Sequence, residues 1–164
     1  MASHIELDPQ NGLLVFSQQV DARVDIAAIG AQSLRFFATG VGLTEDRVYG
    51  PDRRPEADAV RFVIAPKNEP PGIRAVVVRA RAPADLALAE EADRRLGGTG
   101  LGLLARRCPT VWLIERESPA DRLALLLAAV LASVLLGPIV DAAAGSIFGV
   151  KTARAKLEAA APGR

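Results

Sequence analysis

The sequence predicts a single α+β domain, and three observations carry that prediction. Two runs rich in β-branched residues, AVRFVIAP (Ala59–Pro66) and GIRAVVVRA (Gly72–Ala80), stand five residues apart, as the arms of a hairpin do. PADLALAEEADRRLGG carries helix start and stop signals at its two ends. The third is DRLALLLAAVLASVLLGPIVD, in which eighteen consecutive residues, Leu123–Val140, bear no charge. Half of the chain is apolar and 24% is charged, which is a globular rather than a disordered composition. A chain of 164 residues can bury about two-thirds of its unfolded surface and needs no staples.

Taken in order, GLLVFSQ (Gly12–Gln18) reads as a short strand. DARVDIAAIGAQSLRFFATG follows as a helix. Asp21 or Asp25 caps its start, Ile26, Ile29, Leu34 and Phe37 are expected on one side, and Gly40 ends it. The polar stretch VGLTEDRVYGPDRRPEAD is a long connection with turn residues at Gly50, Pro51 and Pro55, and it has room for a short strand at Arg47–Tyr49. The next two strands are joined by KNEPP, short and turn-rich, so they should pair antiparallel. In the helix after them Pro83 lies near the first turn, Asp85 comes early, Arg94 and Arg95 come late, and Gly97 is the stop. TVWLIERE (Thr110–Glu117) is the fourth strand. SPADRLALLLAAVLASVLLG and PIVDAAAGSIFGVKTARAKLEAAA then read as two helices broken at Gly137–Pro138.

The order βαββαβ over residues 12–117 matches the split βαβ, or ferredoxin-like, arrangement. That fold hosts many unrelated functions. Its two crossover helices cover one sheet face. The strand segments FVIA, AVVV and VWLI are apolar at successive positions, as in sheets buried on both faces. Residues 118–161 are therefore expected to form a C-terminal helical pair that covers the second face.

Leu123–Val140 also has the length of a membrane span, followed by Lys151, Arg154 and Lys156, so a membrane-attached domain anchored by residues 123–140 is the first alternative. The soluble reading leads for two reasons. The Gly137–Pro138 break leaves about 15 apolar residues, or roughly 22 Å of helix, against a hydrocarbon core of about 30 Å. The run is also two-faced, with Leu123, Leu126, Leu127, Val130, Leu131 and Val134 on one side and Ala124, Ala128, Ala129, Ala132 and Ser133 on the other, as suits a helix wedged between two partners.

Net charge is +1, which gives no global attraction for nucleic acid or anionic lipid. The single cysteine excludes an internal disulfide and thiolate zinc clusters. The single histidine, His4, excludes imidazole triads and His-rich metal sites. No metal and no cofactor are expected. The N-terminus lacks a basic segment followed by an apolar run, so a cytoplasmic location is expected, with membrane association as the alternative.

Six residues around the densest glycine cluster, GGTGLG, form the candidate ligand site: Gly98, Thr99, Gly100 and Gly102, with Arg106 and Arg107 nearby. Amides freed of side chains can wrap a small anion, although no Gly-Lys-Ser/Thr follows and the cluster succeeds a helix rather than a strand. Cys108, after two arginines, is the candidate reactive thiol. Glu90, Glu91 and Asp93 on one helix, with Asp58 before a strand, are the remaining acid–base candidates, and they read as a solvated charged face. Asp141, at the edge of the apolar run, is the carboxylate expected to be partly buried. Arg74, Arg79 and Arg81 lie on or beside one strand, but the aromatic platforms of a single-strand binder are missing, so no nucleic-acid partner is expected.

The function expected is a non-enzymatic binding or assembly module. It would self-associate or bind a protein partner, with a small anionic ligand at the glycine cluster. A small enzyme lacking histidine, using Cys108 or a buried carboxylate, is the second alternative.

Overall fold

A computed structural model of the chain describes residues 5–46, 49 and 55–159. The strands are β1 (Leu13–Ser17), β2 (Thr39–Leu43), β3 (Ala57–Pro66), β4 (Gly72–Ala80), β5 (Thr110–Ile114), β6 (Ile139–Asp141) and β7 (Ser146–Phe148). The helices are α1 (Ile26–Phe37), α2 (Pro83–Arg95), α3 (Leu101–Arg106), α4 (Arg122–Leu135) and α5 (Val150–Ala159). The strands form one seven-stranded sheet in the order β2-β3-β4-β5-β1-β6-β7, and every pairing is antiparallel.

The β3–β4 hairpin forms as its sequence predicts, with Val60 opposite Val76. The order around it differs from the split βαβ arrangement, which would seat the first strand beside β4. Here β5 takes that seat, pairing Leu113 with Val77 on one side and with Leu14 on the other. β1 is then flanked on its far side by β6. Burial on both faces could be inferred from these apolar strands, but periodicity does not name a neighbour.

Side-chain alternation divides the core into two layers. On the near face Val15, Phe62, Ile64, Val78, Trp112 and Ile114 pack beneath α1, α4 and α5. On the opposite face Leu14, Phe16, Val111, Leu113, Val140 and Ile147 meet Ala89 and Ala92 of α2 and Ala105 of α3. Helices thus pack on both faces of the sheet, but in a different division from the one expected. The C-terminal helices share the near face with α1, and α2 crosses to the other.

The segment after Gly137–Pro138 is also not one helix. It forms the β6–β7 hairpin, in which Gly145 takes φ +64° and Asp141 Oδ1 accepts the Ala144 amide at 3.2 Å. Only from Val150 is the chain helical. Two further elements, β2 and α3, had no sequence expectation, and residues 47 and 48 of the expected strand Arg47–Tyr49 lie outside the described residues.

The uncharged run resolves into helix, turn and strand. Asp121 caps α4 by accepting the Ala124 amide at 3.1 Å. The helix ends at Leu136, whose backbone is left-handed with φ +59°. Gly137 follows because a Cβ there would lie 1.9 Å from the Phe16 carbonyl oxygen. Leu126 and Val130 are buried, and Leu123 and Val134 pack half-buried on the same core. Ala124, Ala128, Ala129 and Ala132 are buried as well, so the thin side of α4 is the side on which neighbours come close. Among the described residues no helix is long and apolar enough to cross a membrane.

Candidate functional site

The glycine cluster is the turn between α2 and α3. Gly97, Gly98 and Gly100 take φ of +84°, +81° and +90°, a region that side chains with a Cβ avoid. The turn wraps an anion that belongs to the chain. Asp93 Oδ1 accepts the Thr99 amide at 2.8 Å and the Thr99 hydroxyl at 2.6 Å. These two bonds, helped by the Gly102 and Gly100 amides, hold the Asp93 carboxyl below the usual carboxylate range. An incoming anion would have to compete with Asp93 for these donors. Arg106 is turned away to Glu90 at 2.7 Å, and Arg107 is exposed at the end of α3. A groove of about 520 Å³ between α2 and α3 is lined by Glu90, Asp93, Arg94 and Leu103, so two carboxylates face it.

Cys108 is buried in the second core layer, where its thiol donates to the Leu104 carbonyl at 3.3 Å. Burial pushes its pKa up to about 11, and the charge of Arg81 offsets this only in part. The two preceding arginines suggested an activated thiolate, whereas the sulfur sits among apolar side chains.

The three strand-associated arginines all have internal work. Arg74 pairs with both oxygens of Asp121, at 2.7 and 2.9 Å. Arg79 holds both oxygens of Asp85, a carboxylate whose burial the sequence did not advertise. Arg81 donates to the carbonyls of Ala105, Arg106 and Cys108, which closes the C-terminal end of α3. Glu91 pairs with Arg94 and Arg95, the exposed helix-face pairing its spacing suggests. Asp58 accepts the Tyr49 hydroxyl at 2.8 Å. Asp141 is partly buried as expected and pairs with Arg116 at 2.8 Å. Among the described residues no group of histidine, cysteine and carboxylate side chains could hold a metal ion; His4 lies outside them.

Large apolar side chains are exposed at several places, among them Val20, Leu96, Leu103 and Leu136, and α1 carries two more, Leu34 and Phe36. Asp25 caps α1 through the Ala28 amide. Its core-facing line is Ile26, Ile29, Ser33 and Phe37, with Ser33 bonded to the Gly30 carbonyl. Leu34, expected inward, is 65% exposed. It lies one residue past the buried line, which is about 100° around the helix. Ala27, Ala28 and Ala31 are exposed with it, and the helix carries no charge from Ile26 to Leu34. Arg35, one turn beyond Ala31, sets a charge at the end of this surface, and Phe36, under the Arg35 guanidinium at 5.1 Å, is exposed on a different side of the helix, about 160° round from Leu34.

The edge strand under this helix does not present a plain free edge. The Thr44 amide bonds the Arg61 carbonyl, so in this register the Val41 carbonyl points away from β3. A Cβ at Gly30 would lie 3.3 Å from that oxygen, so α1 leans against the strand's outer edge. On the other side of the sheet, α2 and α3 stop short of β2 and β3. A Cβ on Gly42 would have nothing within 4 Å, and Ile73 is 49% exposed. Comparison with protein-family models, with curated proteins and with solved structures returns no match.

Proposed function

We propose that the protein is a non-enzymatic assembly module in which the outer face of α1 packs on the same face of a second copy. The observation that carries this reading is the uncharged, exposed stripe Ala27, Ala28, Ala31 and Leu34. A contiguous exposed apolar face is the kind of surface on which a partner can dock. A two-fold antiparallel pair makes the contact isologous. It sets Leu34 of each copy over Ala27 of the other, about 10.5 Å along the helix, and the alanines let the two helices approach closely. The helix edge lying on β2 disfavours strand addition as the mode of pairing. The buried, weakly acidic Cys108 thiol weighs against the enzyme alternative that relies on it.

A helix about 18 Å long supplies less than the roughly 800 Å² per partner of a standard stable interface. The dimer is therefore expected in a weak, concentration-dependent range. Sedimentation over a wide concentration series tests this. The wild type should pass from the 17.3 kDa monomer toward twice that mass, and Leu34→Arg should stay monomeric throughout with an unchanged melting temperature. A wild type that remains a monomer at every concentration overturns the reading.

A further inference from the structure

We propose that the hollow between the start of α4, β7 and α5 binds a small organic anion with an apolar body. This hollow has a volume of about 260 Å³, close to the lower end of the range for small-ligand pockets. It lies on the same sheet face as α1 but at the opposite edge from β2. Its apolar floor is Leu13, Leu125 and Phe148, and its walls are charged.

The charges decide what can enter. Asp121 gives both oxygens to Arg74 and also accepts the Glu117 amide at 2.9 Å. Asp141 is taken by Arg116, whose side chain is only 6% exposed and also donates to the Asn11 carbonyl. Arg122 is taken by Glu69 at 2.7 Å and by the Leu157 carbonyl. These walls are cross-braced, so they are set before a ligand arrives, which lowers the ordering cost of binding.

Lys156 is the exception. Among the described residues its ammonium meets no carboxylate and instead stands 5.1 Å from the centre of the Phe148 ring. The hollow therefore offers one cation without a carboxylate partner beside an apolar floor, while both of its carboxylates are committed to arginines. A carboxylate head on Lys156 with an aliphatic body over Leu13 and Leu125 satisfies both features, and an aliphatic cation satisfies only the second.

Octanoate is the probe. Titrated into the full chain, it should shift the methyl resonances of Leu13 and Leu125. Octanol and octylammonium should bind more weakly by about fivefold, the worth of one exposed ion pair near 1 kcal/mol. Acetate, which has the head without the body, should give no shifts at the same concentration. Lys156→Gln should lose about the same fivefold, and Lys151→Gln, exposed on the same helix, should lose nothing. Unchanged melting temperatures establish that both variants are folded. Silent methyls, octanol binding as tightly as octanoate, or full affinity in Lys156→Gln would each overturn the site.

Discussion

Replacing Asp121 with alanine should be among the most damaging single changes to the fold. The side chain is 3% exposed and its partner Arg74 9%, so the substitution leaves a buried guanidinium with only the Ile73 carbonyl and the exposed Glu117 carboxylate, at 3.4 Å, as partners. It also removes the acceptor for the Ala124 amide at the start of α4. Breaking a buried pair costs about 3–5 kcal/mol, and losing a cap about 1 kcal/mol. Against a typical total of about 5–15 kcal/mol that leaves a marginal protein. Asp121→Asn keeps a capping oxygen and loses only the charge, so it should fall between alanine and wild type.

Urea unfolding with linear extrapolation measures both variants. A cycle with Arg74→Met should return a coupling energy well above 1 kcal/mol. The pH dependence follows from the carboxyl itself. Burial alone would raise its pKa, but the Arg74 guanidinium and the amides of Glu117 and Ala124 outweigh burial and hold it low. A depressed folded value means that the stabilisation is complete above the unfolded value of about 3.9 and is lost as pH falls through the folded one. The gap between wild type and Asp121→Asn should therefore narrow only below about pH 4. A cost under about 1 kcal/mol for Asp121→Ala, or an additive cycle, would refute the argument.

Other positions yield sharper, smaller tests. Gly137→Ala drives a methyl group into the Phe16 carbonyl, and the overpacking should cost at least about 1–3 kcal/mol; a melting temperature equal to wild type would contradict that placement. The Cys108 thiol, with its pKa pushed up to about 11, should resist a disulfide reagent at mildly alkaline pH until denaturant is added, and rapid labelling of the native protein would show the burial to be wrong. Asp93→Ala removes the acceptor of the Thr99 amide, so hydrogen exchange at Thr99 should accelerate near neutral pH while the core strands keep their protection.

Elements with strong local signals were legible in the sequence. The β3–β4 hairpin announced itself by two β-branched runs and a short turn, and α4 by an uncharged run interrupted at Gly-Pro. Elements defined by a distant partner were not. β2 is TGVGL, poor in strand formers, and it exists because β3 offers a ladder and α1 a support. β6 and β7 are three residues each, too short for a period to show, and the alanines between them imitate a helix. The same limit hid the site. Leu34 looks like a core residue until Ser33 is recognised as the member of the buried line. Nothing local marks Arg74 and Asp121, 47 positions apart, as partners.

The seat of β1 between β5 and β6 also constrains how the chain can be made. Both neighbours of β1 are encoded after it, Leu14 meeting Leu113 and then Val140. Such distant pairings are closed slowly, because chain entropy is lost before contacts repay it. The β3–β4 hairpin can form early in synthesis, while Leu13–Ser17, apolar on both faces, has no sheet to join until most of the chain is present. Nascent chains stopped between residues 118 and 138 would carry β5 and β1 but lack α4's completed support and the β6 flank. Chains of that length keep unpaired apolar strand edges, the condition that favours aggregation during folding.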